Sequence, residues 1–275
     1  GSTEQQAAYI PSIIEGSTQW ALAFAENNSS YDLSTVATTA EPEGDGFLLQ
    51  GEKFAVLNGH CADKLIVTAK AGSEDGVTLL IVDANAAGVI REPFAALDGS
   101  RGAQIQFDNV AVAADQVLGE AGQGLALLES VLDTAIVAMG AEAVGAMQSL
   151  LNATVEYTKT REQFGQPISK FQVLQHRMAD MYLKLEESRS LLLNAAIQLD
   201  EESVEAAAAC AALKVKLSEA GRSIAQEAVQ LHGGIGMTDE LSIGHHYKRL
   251  MVLATLYGDE SHHLRRFVRL SAQAA

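Results

Sequence analysis

Three short stretches of this chain combine residue types that could do chemistry. The first, Arg161-Glu162-Gln163-Phe164-Gly165-Gln166-Pro167, sets an arginine, an amide and an aromatic ring around a break. Gly165 can end a helix in a left-handed turn and Pro167 cannot continue one, so two helices meet here. An arginine, an amide and a ring at a corner suit an anionic, ring-bearing ligand; an ordinary helix turn with solvated polar residues accounts for the same pattern. The second stretch is Gln230-Leu231-His232-Gly233-Gly234-Ile235-Gly236. Its glycines let backbone amides approach a ligand closely, and amides near a helix end attract phosphate. The third is one carboxylate, Glu142, in the small and apolar run Met139-Gly140-Ala141-Glu142-Ala143-Val144-Gly145-Ala146. A carboxylate in such a run is either paired with a Lys or Arg or faces a cavity, and burial would raise its proton affinity.

The pattern around these stretches divides the 275-residue chain. Residues 5–14 are amphipathic and stop at Gly16, and residues 20–25 form a buried strand. Residues 32–117 carry short apolar or alternating segments at 46–50, 53–58, 64–70, 77–83, 88–93 and 103–107. Turn signals at 43–46, 58–59, 73–76 and 98–100 separate them, which predicts a barrel or sandwich. After Gly119-Glu120-Ala121-Gly122-Gln123-Gly124, long helical periodicity covers 125–161, 168–199, 204–232 and 239–273. Four helices with short connections predict an antiparallel four-helix bundle. The expected fold class is therefore α+β, a β-barrel or sandwich domain followed by the bundle. Its divisions are 1–26 (a helix remnant and lead-in strand), 27–118 (β) and 119–275 (helical). The alanine run 206–212 reads as close helix contact.

A net charge of −16 argues against nucleic acid or an anionic membrane as partner, while a few local arginines still allow an anionic ligand. Cys61 and Cys210 show no metal-ligand spacing and read as free thiols of a reducing compartment. Neighbouring histidines such as His262 and His263 point to different sides of a helix, so no metal site is expected. Arg265, Arg266 and Arg269 read as covering a helix face or pairing with acids at a subunit contact. No signal peptide or apolar run of membrane-spanning length is read, and the expected location is the cytoplasm.

The order and spacing of Arg161-Glu162-Gln163-Phe164-Gly165-Gln166-Pro167-Ile168, Phe171-Gln172, Ala179-Asp180-Met181 and the Gln230–Gly236 stretch resemble the flavin-dependent acyl-CoA dehydrogenase family. The resemblance covers about residues 3–270 and implies an N-terminal helical domain, a middle β-domain and a C-terminal four-helix domain. Of the first, this chain would hold only the final helix. It further implies FAD as cofactor, an acyl-CoA substrate and an electron-transfer-flavoprotein-like acceptor. The assembly would be a homo- or hetero-oligomer built as a dimer of dimers. Arg161 and Phe164, with Gln163 adding hydrogen bonds, would contact FAD bound mainly by a neighbouring subunit. Gln230, Gly233 and Gly234 would contact the diphosphate and adenosine end of the same FAD.

The chain departs from the family pattern at three places. A flavin segment usually ending Thr-Glu-Pro-Gly-Ala-Gly-Ser-Asp reads Ala25-Glu26-Asn27-Asn28-Ser29-Ser30-Tyr31-Asp32, and one usually reading Trp-Ile-Thr-Asn-Gly reads Ala55-Val56-Leu57-Asn58-Gly59. The glutamate that many members carry just before a glycine is replaced by Tyr257, ahead of Gly258. A neutral tyrosine, with an ordinary pKa of about 10, is a poor base. Other members take the base from the first bundle helix at a position matching Ala135. Glu142 lies two helical turns further along the same face, and a branch of the family combines a glutamate there with a Gly-Asp-x-x-His-His ending. Glu142 is thus the expected base for removing the proton α to the thioester carbonyl. The alternative is a non-catalytic structural subunit that completes a partner's FAD site.

Overall fold

The computed structural model describes residues 1–72 and 76–273, with the side chain of Gln273 left aside. Of the turn signals, the one at 73–76 falls mostly on residues 73–75, outside the described residues. Two compact units divide the chain, Gly1–Glu129 and Ser130–Ala275.

The first unit opens with helix α1 (Thr3–Glu15). Ser2 and Gln5 form a capping box at its start, and Gly16 ends it at φ 70. Gln5 Nε2 donates to the Asp115 and Val117 carbonyls at 2.8 and 2.9 Å, fixing the helix to the end of the β region. Seven strands follow: β1 (Trp20–Ala23), β2 (Thr39–Glu43), β3 (Gly46–Leu57), β4 (Lys64–Ala71), β5 (Thr78–Asp83), β6 (Val89–Ala95) and β7 (Arg101–Ala113). They make one curled sheet in the order β1-β4-β2-β3-β7-β6, with β5 paired to β4. Alternation buries one face: Leu49, Leu65, Val67, Ile105 and Phe107 are at most 1% exposed.

Two expectations change here. The segments 46–50 and 53–58 are one strand, β3, broken only by register shifts between Leu49 and Gly51 and between Lys53 and Val56. These are bulges, which bend a strand without ending it. Gly51 permits the first bulge: its φ is 147, and a Cβ there would sit 2.7 Å from Thr38 Cα. Strand β2 has no expected counterpart, because Glu41, Pro42 and Glu43 dilute its apolar signal; Pro42 is tolerated there as strands allow it only locally.

The second unit is helical. Helix α2 (Gly124–Thr160) runs into it, followed by a two-strand ribbon of β8 (Glu162–Gln163) and β9 (Gln166–Pro167), then α3 (Gln172–Asp200), α4 (Ala206–His232), α5 (Ser242–Thr255) and α6 (Glu260–Gln273). Ile136, Met147, Leu150, Met181, Leu185, Leu213, Ile224 and Leu250 form its core. Full burial of side chains this size is worth about 1.5–3 kcal/mol each. The alanine run lies within this packing, with Cys210 and Ala211 fully buried.

Two further corrections follow. The expected fourth helix over 239–273 is two helices, α5 and α6, broken at Leu256, Tyr257, Gly258 and Asp259. Tyr257 and Gly258 take φ of 58 and 113, and Asp259 Oδ1 caps α6 by accepting from His262 N at 2.7 Å. By length and composition alone α2 is also long and apolar enough to cross a membrane, contrary to the sequence reading. Its Ile136, Met147 and Leu150 are instead accounted for by the bundle core.

Candidate functional site

In the helical unit, the Arg161 and Gln230 stretches come together. Helix α2 ends at Thr160, and the ribbon folds back so that Ile168 N donates to the Arg161 carbonyl at 2.8 Å. Phe164 and Gly165 at the tip have φ of 55 and 80, the pair of left-handed residues that a two-residue hairpin turn demands. Helix α4 ends at His232, where Gly233 turns the chain at φ 64 and donates back to the Gln230 and Val229 carbonyls. The two helix ends are joined by rings: Tyr157 and His232 stack with centroids 4.5 Å apart and an interplanar angle of 25°. His232 is buried, and its Nδ1 donates to the Ala228 carbonyl at 2.8 Å, which sets the plane of the ring.

Between these ends lies an open cleft of about 670 Å³ lined by Tyr157, Arg161, Gln163, Gln230, Gly233 and Gly234 among others. Five of the six expected cofactor residues therefore share one cleft. Phe164 does not line it; it is 91% exposed and meets Phe171 edge-on at 6.0 Å. Among the described residues the exposed Arg161 guanidinium forms no ion pair. A Cβ at Gly233 or Gly234 would meet nothing within 4 Å, so the backbone there is open to a ligand. Both helices terminate at the cleft, so their dipoles present negative ends and do not help an anion. The positive charge at the cleft is the Arg161 guanidinium, since the Gly233 amide is spent on the end of α4. Sequence reasoning missed Tyr157 and His232 as the joint between the motifs; His232 lies inside the Gln230–Gly236 stretch and Tyr157 one turn before Arg161, but ring stacking between residues so far apart is a tertiary fact.

Glu142 is not buried as its apolar neighbours imply. Its side chain is 47% exposed and is gripped by Arg249 of α5, Nε to Oε1 at 2.5 Å and Nη2 to Oε2 at 2.8 Å. The ion-pair alternative weighed for Glu142 is what the free chain adopts. The run around Glu142 is apolar because Ala143, Val144, Ala146 and Met147 face the core, while Ala138, Ala141, Glu142 and Gly145 face outward. A Cβ on Gly145 would meet nothing within 4 Å, leaving room one turn from the carboxylate.

The break between α5 and α6 stands close to Arg249. Burial pushes the Tyr257 phenol above its ordinary value, against the nearby Arg249 charge, so its hydroxyl stays protonated. The corner is held from beneath. His263 Nε2 donates to the Tyr257 carbonyl at 2.8 Å, and the buried Lys214 Nζ donates to the Leu253 and Ala254 carbonyls at 2.9 Å each, capping α5. Burial pushes Lys214 down to about 8. Arg266 pairs with Asp133 inside the same unit, Nη2 to Oδ2 at 2.8 Å.

In the β unit, the two altered segments lie side by side. Phe54 N donates to the Ala25 carbonyl at 2.8 Å. Beneath, Lys53 Nζ donates to Glu26 Oε1 at 2.6 Å and to Thr68 Oγ1 at 2.7 Å. Glu26 also accepts from Ala37 N, Thr38 N and Thr38 Oγ1 at 2.7, 3.1 and 2.7 Å. Burial alone would raise the Glu26 carboxyl, but Lys53 and the Ala37 and Thr38 donors outweigh it and hold it below the usual carboxylate range.

Two family models match the chain: acyl-CoA dehydrogenase, C-terminal domain, over residues 122–270, and acyl-CoA dehydrogenase, middle domain, over residues 21–110. A mitochondrial isovaleryl-CoA dehydrogenase of Oryza sativa subsp. japonica is 34% identical over 250 residues, covering 89% of this chain and 61% of that protein. A 3-(aryl)acrylate reductase of Clostridium sporogenes is 32% identical, covering 94% of this chain and 70% of the reductase. The solved structure of butyryl-CoA dehydrogenase from Megasphaera elsdenii superposes with a TM-score of 0.92 at 28% identity, over all of this chain and 73% of that one. This chain thus spans about three fifths of the length of the isovaleryl-CoA dehydrogenase it matches. With both domain models in chain order over most of its length, the chain belongs to the acyl-CoA dehydrogenase family.

Proposed function

We propose that this chain is a subunit of an FAD-dependent acyl-CoA dehydrogenase that introduces a double bond between the α and β carbons of an acyl-CoA thioester. One observation carries the reading: Arg161, Gln163, Gln230, Gly233 and Gly234, from two distant stretches, line a single cleft. Its size falls in the range of cofactor sites. The residues fit a dinucleotide: a guanidinium without an ion-pair partner for the diphosphate, amides for the polar edges, and glycine backbone where a side chain would obstruct. FAD, when bound, supplies the acceptor for the β hydride. The chain's own part is to hold the diphosphate and adenosine end and to remove the α proton, a role assigned to Glu142. In this reading the cleft serves FAD shared with a neighbouring subunit, in a homo- or hetero-oligomer. Electrons leave to an electron-transfer-flavoprotein-like acceptor in the cytoplasm. The boundaries 27–118 and 119–275 stand as working domain limits, to be checked by limited proteolysis.

Purified full-length protein should carry the visible absorption of oxidised flavin. Anaerobic addition of isovaleryl-, butyryl- and arylpropionyl-CoA should bleach it with at least one member of the panel. Bleaching at the parent rate in Glu142→Gln removes Glu142 as the base.

Tyr257, standing where many members have a glutamate, and the engagement of Glu142 by Arg249 favour a second reading, a non-catalytic subunit that completes a partner's FAD site. Flavin that appears only on co-expression with a second subunit, together with unimpaired turnover by a Glu142→Gln assembly, selects it.

A further inference from the structure

Resting on the reading of Glu142 as the base, we propose that Arg249 is its positioning residue, aiming the carboxylate from α5 while leaving it able to accept a proton. The grip is side-on and bidentate, Nε to Oε1 at 2.5 Å and Nη2 to Oε2 at 2.8 Å. Each oxygen therefore spends one lone pair on the arginine and keeps another. The pair is not sealed: Glu142 is 47% exposed at its side chain, and Ala138, Ala141 and Gly145 leave space along its face of α2. Two elements of one unit meet at the pair, α2 through Glu142 and α5 through Arg249, and the Arg249 charge reaches Tyr257 at the α5–α6 corner. Lys214 and His263 fasten the C-terminal end of α5 and the corner after it, which fixes the helix that carries Arg249.

The strength of the ion pair matters little, because at half-exposed sites such pairs are worth no more than about a fivefold change. Orientation counts for more: a misplacement of about 1 Å costs up to about 100-fold. Freed from Arg249, the Glu142 side chain would swing over its several rotamers, so loss of the arginine slows proton removal. In the full reaction the α C–H bond breaks with its proton going to Glu142 and its electron pair forming the new C=C bond. FAD, whose diphosphate Arg161 would hold, would supply the acceptor for the β hydride.

The test isolates the first half. With a 3-thia-acyl-CoA, which has an α proton but no β hydride to give, α-proton exchange into D2O is followed by NMR on the flavin-loaded protein. Arg249→Met should slow exchange at least about tenfold while analogue affinity stays within about twofold, and Arg249→Lys should recover part of the loss. If Arg249→Met does not fold, Arg249→Lys carries the test by slowing exchange itself, since it keeps the charge and loses the fork. Exchange at the parent rate or faster in the folded arginine variants, with Glu142→Gln inactive, overturns the role of Arg249 and leaves Glu142 as the base. Parent-rate exchange in Glu142→Gln overturns both.

Discussion

Two ion pairs of this molecule, one in each unit, show what burial does to the same chemistry. Lys53 and Glu26 meet at 2.6 Å with side chains 0% and 5% exposed, and Thr38, Thr68 and the Ala37 amide bond to them as well. Arg249 and Glu142 meet at 2.5 Å with side chains 32% and 47% exposed, beside open space at Gly145. The first pair is committed to structure, because separating two buried charges leaves each without solvent. The second can be opened at small cost, which is what the proposed role of Glu142 as a base would require. The buried pair also ties the 25–32 segment to β3 just ahead of the 55–59 segment.

The largest effect should come from breaking the buried pair. Lys53→Met leaves Glu26 charged and uncompensated and should cost about 3–5 kcal/mol in guanidinium unfolding. Adding Glu26→Gln should recover part of this; unchanged stability in the single variant Lys53→Met would refute the structural role of the pair. The pair also sets an acid limit. The Glu26 carboxyl lies lower when folded than unfolded, so its contribution is present above the unfolded value and fades as pH falls through the folded one.

The next effect in size belongs to the helical unit. His263 Nε2 donates to the Tyr257 carbonyl, so the neutral ring carries its proton there, and the buried Nδ1 has no partner among the described residues. Burial, reinforced by the His262, Lys214 and Arg266 charges, pushes the imidazole down to about 4 against the pull of the carbonyl. Its folded pKa is below the ordinary 6.5, so stability is full above pH 6.5 and is lost as pH falls from there to about 4, by about 3 kcal/mol at most. A pH series of unfolding midpoints should show this slope, and His263→Gln should flatten it.

Between these and the open pair lies the cleft. Arg161→Gln removes its guanidinium and should weaken FAD retention by roughly 1.5–3 kcal/mol, about ten- to a hundredfold, as read from flavin content after gel filtration at graded FAD. Unchanged retention would break the assignment of the cleft to the cofactor.

How much of this was legible in the sequence follows the range of each interaction. Helix ends at Thr160 and His232 were marked by local punctuation, Gly165 with Pro167 and Gly233 with Gly234, and they fell where the glycines stand. The break at 256–259 was written just as locally, by Gly258 followed by the cap Asp259, but the helical periodicity on both sides carried the reading across it. Strand β2 was masked by Pro42 and two glutamates that sit on its exposed end. Lys53 was not singled out beside Glu52 in β3, because its burial and its pairing with Glu26 depend on the fold bringing residue 26 beneath β3. Glu142 drew attention by composition, yet its neighbours were apolar because they face the core. Only the helix rotation and the approach of α5, with Arg249 107 residues away, decide that it points outward.

The smallest stability effect is the sharpest contrast with Lys53. Glu142→Gln removes half of an ion pair of similar length, but solvent can satisfy both the amide and the arginine left behind. Its cost in unfolding free energy should be at most about 1 kcal/mol, several-fold less than Lys53→Met measured the same way. If Glu142 is the base, the same variant loses flavin reduction by acyl-CoA almost completely, so stability and activity separate. A structural pair would behave in the opposite manner, with unfolding and turnover changing together or neither changing. A loss above about 3 kcal/mol in Glu142→Gln would place it with Lys53 and Glu26 as a fixed strut of the fold, and the idea of an opening pair would go with it.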